Sequence, residues 1–342
     1  MRRFTFVAFA LSLIALMCSA GRMVSAAPTV SIKLATLAPS GTSYDLILRQ
    51  MGEKWRKATN GEVNLRVYPG GNQGSEADIV RRMNVGELQA AMLTVGGLSE
   101  IDPTATALQE IPMLFNSLDE QTYVREKMRA DFERRLLAKG FIALFWGDSG
   151  WVRFFSRNPG IKPDDFRSMK IFVTASNSAK EMQIMQGLGY KPVALDWADA
   201  LIQLQTGGVD AVPAPPILAL SGQYYTVVKH MTEVNWAPLV GATVVTKRAW
   251  DAIPQATRDV MAGAAADAGK QIQDASRKES DEAVDTMKKK WGLSVHAMTP
   301  ELQQQWRAFA EAVYPKIRGS LVPPDVFDEA RRLVAEYRAS HQ

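Results

Sequence analysis

Apolar residues alternate along the stretch VSIKLAT, with Val30, Ile32 and Leu34 on one side. That is the period of a strand with one buried face. Thr36-Leu37-Ala38-Pro39 ends it, and Ser40, Gly41, Thr42 and Ser43 supply helix-capping chemistry. The spacing then changes: Leu46, Ile47, Met51 and Trp55 share one face of a helix that stops at Asn60-Gly61. VNLRVY alternates again as a strand. Such β–α–β units, repeated, predict an α/β protein with a mostly parallel sheet.

The repetition continues. The glycine-rich turn YPGGNQG, with Gln73 near its end, lacks the Lys-Ser/Thr of a P-loop and the glycine spacing of a dinucleotide fingerprint. It reads as a tight turn in which backbone approaches backbone. A helix (SEADIVRRMNVGE) and a strand (LQAAMLTVGGL, with Thr94 toward its end) follow. Residues 119–139 read as a charged amphipathic helix, FIALFWGDSG and WVRFFSR as two strands, and Ile171-Phe172-Val173 as a short buried strand. NSAKEMQIMQGLG is a helix; KPVALDWADALIQLQTGGVDAVPAPP gives strand, helix and short strand, with Asp196 capping a helix over 197–206. GATVVTKRAW is one more strand. No break interrupts Pro254 to Trp291. A helix of ~37 residues there is roughly 55 Å long, enough to lie across two lobes and brace them. LSVHAM and two helices ending near Tyr337 close the chain.

The first residues change the charge picture. Arg2 and Arg3, an apolar run from Phe4 to Cys18 and the small-residue site Val24-Ser25-Ala26 have the three-part layout of a secretory signal peptide, here residues 1–26. The apolar run is about 15 residues, short of the ~20 that span a bilayer. Removal of this leader takes Arg2, Arg3 and Arg22 with it, so that 37 basic residues face 36 acidic ones and the net charge falls from +4 to +1. The basic balance therefore does not argue for nucleic acid. Cys18, the one cysteine, leaves too. A mature chain of about 316 residues without disulfides relies on its core and is expected to form two lobes. We expect an exported, periplasmic, monomeric protein.

No catalytic constellation can be assembled. His230, His296 and His341 show no metal-ligand spacing, no G-x-S-x-G elbow occurs, and Ser149 lacks an obvious base. Neither a metal nor a cofactor is expected. Strands that end in small polar residues and aromatics, in two facing lobes, make a cleft instead: open α/β sheets bind ligands outside the carboxyl ends of their strands. Thr36, Gln73 and Thr94 belong to such ends and turns.

EKWRKATNGEVNLRVYPGGNQGSEADIVRRMNVGELQAAM, IKPDDFRSMKIFV, ALIQLQTGGVDAV and the long helix after Pro254, in this order and spacing, resemble the substrate-binding subunits of TRAP transporters, the DctP-like family. The resemblance covers nearly all of the mature chain. It implies the two-lobed periplasmic solute-binding-protein fold with a bracing helix, and a receptor that hands a captured solute to TRAP permease membrane subunits driven by an ion gradient. We expect lobe 1 at 27–148, with about 238–275 returning to it. Lobe 2 takes 149–237, with about 276–342 returning to it and packing across both.

The family's usual ligands are organic acids, and the resemblance implies a carboxylate-clamping arginine where this chain has Phe172, an asparagine where it has Ala214, and a tyrosine where it has Leu201. A ligand more apolar or aromatic than a small dicarboxylate follows, in a pocket walled by Trp146, Trp151, Phe154, Phe172, Trp197 and Trp236 and oriented by Arg153, Asn177 and Asp148. The alternative keeps a small carboxylate and gives the clamp to Arg153, helped by Thr174, Asn177 and Ser178. A secreted hydrolase and a receptor that signals to a sensor kinase are further alternatives.

Overall fold

The computed structural model describes residues 30–175 and 178–341; the leader and Asn177 lie outside them, as does the side chain of Ser178. The first half is built from β1 (Val30–Thr36), α1 (Ser43–Ala58), β2 (Val63–Tyr68), α2 (Glu76–Val85), β3 (Ala90–Thr94), α3 (Val95–Ser99) and α4 (Leu118–Ala138). The long strand β4 (Phe141–Ser156) leads into the second half, with β5 (Lys170–Thr174), α5 (Ser178–Gly187), β6 (Lys191–Leu195), α6 (Ala200–Thr206), β7 (Ala211–Ala214) and α7 (Pro216–Ser221). A second long strand, β8 (His230–Thr246), returns, followed by α8 (Lys247–Asp251), α9 (Gln255–Trp291), β9 (Ser294–His296), α10 (Pro300–Ile317) and α11 (Pro324–Ser340).

The strands form one mixed, mostly parallel sheet in the order β2-β1-β3-β8-β4-β7-β5-β6, with β9 beside β8. Strands β1, β2 and β3 run parallel, as do β5, β6 and β7, and the antiparallel pair β4·β8 joins the two groups. Residues 141–148 of β4 pair with 240–246 of β8 in the first half; 151–156 pair with 230–238 in the second, after a register shift between Asp148 and Trp151. Gly150, at φ +79, sits at that shift, in a left-handed conformation that glycine adopts without strain. The sequence reads β4 as two strands because Gly147-Asp148-Ser149-Gly150 looks like a turn. It also misses the first half of β8, where alternation is interrupted by Pro238.

Local chemistry explains most elements. In β1, Ile32 and Leu34 are buried and Ser31 is exposed, as the alternation requires. Helix α1 differs from expectation: its buried stripe is Tyr44, Leu48, Met51 and Trp55, whereas Leu46 is half exposed. Leu46 is two residues from Leu48, about 200° round the helix. No side chain caps the Thr42 start; the buried Asp45 carboxylate accepts from Gly41 N at 2.9 Å and Arg49 Nε at 2.8 Å instead. The turn after β2 does bring backbone to backbone, with Gly70 N donating to Ala38 O and Gly71 N to Thr36 O. Asp196 is not the expected side-chain cap; residues 197–199 are a 3-10 turn ahead of α6.

Helix α9 is the expected 37-residue brace. Its buried stripe is made of small or flexible residues, Met261, Ala265, Ala268, Ile272, Ser276, Ser280, Ala283 and Met287, spaced by three or four. A Cβ on Gly269 would stand 2.6 Å from Phe145, so only glycine lets the helix lie this close to β4. At the crossing the contact is polar. Ser276 Oγ donates to Asp148 O at 2.8 Å and Ser280 Oγ to Ser149 O at 3.0 Å. Arg277 grips the Asp148 carboxylate with Nε at 3.0 Å and Nη2 at 2.7 Å. Beyond it, α10 lies over the second half and α11 packs on α4 in the first, so the C-terminal segment is divided between the halves.

The Asp148 side chain is fully buried, and removing Arg277 leaves its charge only Arg125 Nη1, 3.9 Å away, and the Gly150 N–H. We expect Arg277→Met to cost about 3 kcal/mol or more in chemical denaturation, and Asp148→Asn combined with Arg277→Met to cost less than the sum of the two single changes. A single change that shifts stability by less than ~0.5 kcal/mol, the range of ordinary surface substitutions, would contradict this.

Candidate functional site

The carboxyl ends of the two parallel strand groups converge on the β4·β8 crossing, where two cavities meet across Trp197 and Leu239. The first, about 430 Å³, lies between the halves. Thr36 and Thr94 at the ends of β1 and β3, with Gly70, Gly71 and Glu76, face Trp197, Ala198, Leu201 and the 218–224 segment of the second half. The second cavity, about 210 Å³, is lined by Phe172–Thr174 of β5, α5, Pro213 of β7, Pro215 just after it, the loop 109–112 and one face of α10.

Several expected residues come together here. Phe172 lies in the wall of the second cavity with its ring 4.6 Å from that of Trp197, which borders both spaces. Phe154, Trp236 and Thr174 line the second cavity, Thr36 and Thr94 the first. Phe154 packs at a tilt against Phe166 at 4.9 Å and edge-on with Trp236 at 5.6 Å, so it is both core and wall.

Other expected residues do not. Trp146 is core, packed on Phe132, with its Nε1 donating to Glu133 at 3.3 Å. Trp151 packs on the first-half core outside both walls. Gln73 lies in the turn outside the cavities, donating to Asn72. Ala214 is buried against α7 and α6 residues, paired across strands with Arg153. Arg153 lines neither cavity: its Nη1 donates to Glu233 at 3.1 Å. Asp148 borders the first cavity, but Arg277 and the Gly150 N–H (3.2 Å) occupy its carboxylate, so it holds the crossing rather than a ligand.

Three acids were not legible. Glu76 is buried under the end of β3, accepting from Thr94 N and Oγ1, each at 2.6 Å. Gly97 leaves room for it, since a Cβ there would come within 2.8 Å of the Glu76 carboxyl. Burial raises its pKa, against the pull of the Thr94 hydrogen bonds. Glu110 and Glu181 line the second cavity. Burial pushes Glu110 up to about 7; burial and then the charge of Glu110 push Glu181 up to about 8. Nothing in their sequence surroundings marks them, because the loop and the helix meet only in the fold. His230 and His296 also meet, Nδ1 to Nε2 at 3.1 Å, through the β8·β9 pairing and away from both cavities. Among the described residues no group of three or more His, Cys, Asp or Glu could hold a metal ion.

Among the described residues neither cavity wall contains a lysine, arginine or histidine. The raised carboxyls have a consequence for stability. A carboxyl with a raised folded pKa holds its proton while the unfolded chain has lost it, so it stabilises below the unfolded value near 4.5 and that stability is lost as pH rises through about 7 to 8. The ligand-free protein should melt at lower temperature at pH 8 than at pH 5.5, and Glu181→Gln should flatten that slope; an unchanged slope would contradict the burial of this pair.

Comparison with known proteins agrees with this architecture. The family model described as bacterial extracellular solute-binding protein, family 7 (DctP) matches residues 34–319. A C4-dicarboxylate-binding periplasmic protein of Rhodobacter capsulatus is 24% identical over 265 residues, 76% of this chain and 78% of that one. The fold is that of a TRAP periplasmic solute-binding protein from Shewanella oneidensis with bound succinate, at TM-score 0.83 and 19% identity over 90% of this chain and 99% of that one. One from Desulfovibrio salexigens with bound orotic acid gives TM-score 0.81 at 17% identity over 91% and 99%. The chain belongs to family 7 of the bacterial extracellular solute-binding proteins, the DctP family of TRAP periplasmic receptors.

Proposed function

We propose that this chain is a periplasmic, monomeric receptor that closes its two halves on a small organic ligand and delivers it to TRAP permease subunits. The ligand is more apolar or aromatic than a small dicarboxylate. The observation that carries this reading is the composition of the walls: among the described residues neither cavity has a cationic side chain, and the rings of Phe172 and Trp197 pack at 4.6 Å, tilted by 46°, where they meet. A carboxylate taken from water into such a site needs a cation or a dense set of donors. Arg153, the one candidate clamp, is engaged by Glu233. Relatives with bound succinate or glucuronate take small acids, while orotic acid shows the same fold holding a flat ring. In this chain flat aromatic walls favour a ring or an apolar body by area and by stacking.

Protein exported with its own leader, purified gently and denatured, should release an aromatic or apolar compound identifiable by mass spectrometry, because receptors of this architecture close on their ligand. A small di- or hydroxy-acid would overturn the reading and return the clamp to Arg153. Trp197→Ala should weaken binding of the released compound about ten-fold or more, the scale of a lost aromatic contact. Arg153→Ala should change it little; the reverse ranking would contradict the proposal.

A further inference from the structure

The second cavity contains two carboxyl groups and no counter-charge. Glu110 follows the turn 103–108 of the first half; Glu181 is in the first turn of α5 in the second half. Both keep some accessible surface, and that surface faces the cavity, since protein packs round the rest. Glu110 accepts one hydrogen bond, from Gln109 Nε2 at 3.2 Å, and Gln109 is itself fixed by accepting from Val240 N at 3.0 Å. Glu181 makes no hydrogen bond among the described residues, and Glu110 is the charge it feels. Two cations adjacent in sequence to wall residues are committed elsewhere: Lys180 Nζ, beside Glu181, donates to Ser320 O at 3.0 Å, and Arg307, beside Trp306, donates to Met113 O and Asn116 Oδ1.

The rest of the wall is mostly apolar, and its rings include Phe154, Phe172, Trp197, Trp236, Trp306 and Phe309. Two carboxyls in such a space are costly when ionised and repel each other. An anionic ligand would add a third negative charge. A cation meets the opposite situation: two carboxylates to pair with and ring faces whose quadrupoles attract positive charge.

We propose that this cavity is a subsite for a positively charged group of the ligand, an alkyl- or arylammonium or a quaternary ammonium, seated between Glu110 and Glu181 and walled by the rings of Phe172, Trp197 and Trp236. The inference rests on the reading of the cleft as the place where an apolar or aromatic ligand binds, and it adds the ligand's charge. The two acids come from different halves, so once both are ionised their repulsion opposes closure. A cation between them reverses the sign, which is the differential interaction a ligand needs in order to favour the closed state.

The test is calorimetric titration of the full mature chain, freed of retained ligand by unfolding and refolding, with four probes: benzyltrimethylammonium, phenylacetate, benzyl alcohol and succinate. The cation should bind at least about ten-fold more tightly than phenylacetate. Glu110→Gln and Glu181→Gln should each weaken it about ten-fold or more, the scale of one charged hydrogen bond, and leave benzyl alcohol unaffected. At pH 8, ligand-free Glu181→Gln should melt no lower than the parent protein, since it removes an unpaired carboxyl that is costly to ionise; a purely structural role would lower it. No measurable binding of benzyltrimethylammonium, or equal binding by parent and both glutamine variants, overturns the subsite. Phenylacetate or benzyl alcohol bound more tightly than the cation, with loss in Trp197→Ala alone, overturns the charge but leaves the aromatic cleft. Succinate binding alone overturns both. Should a glutamine variant fail to fold, the parent protein's probe ranking decides by itself.

Discussion

The fold depends on one buried contact: the Arg277 guanidinium on the Asp148 carboxylate, where the longest helix crosses the longest antiparallel strand pair. Ser276 and Ser280 bind the backbone on either side of the same point, and Gly150 lets the strand change register there. Every strand group in the sheet is attached to this crossing through β4 or β8. A charge pair buried in this way adds little net stability, but it fixes one arrangement, because any other leaves a charge without its partner.

That constraint positions the chemistry. With β4 and β8 shared, the carboxyl ends of β1 and β3 on one side and of β5 and β6 on the other face the same space. Tyr44 links the brace to the cleft: its hydroxyl donates to Ser149 Oγ at 2.7 Å beside the crossing, and burial pushes its pKa up to about 12. Among the described residues the walls carry no cation, the rings of Phe172 and Trp197 pack against each other, and Glu110 and Glu181 stand in a largely apolar wall.

Much of the architecture was legible because it is local. The β–α–β alternation, the glycine turn and the 37-residue helix each follow from spacing within one segment. The long strands were cut short in the reading because Gly147 to Gly150 has turn composition, and only pairing with β8 keeps the strand continuous. The site was legible in part. Phe172 was singled out by the family resemblance and Trp197 and Trp236 by aromatic character, and all three line a cavity. Arg153, Ala214 and Asp148 were expected at the ligand, but the partners that surround their side chains, here Glu233, the α7 core and Arg277, come from distant segments and are not visible in the sequence. Glu110 and Glu181 lie 71 positions apart and become a pair only when the two halves assemble.

The central claim is that this receptor recognises its solute without an arginine clamp. A crystal structure of the protein as purified from its own cells, with its retained ligand, tests that most directly. The account predicts a ligand ring or apolar body against Trp197 and Phe172, with Arg153 still bound to Glu233. A ligand carboxylate held by the Arg153 guanidinium, with the Glu233 contact broken, would contradict it.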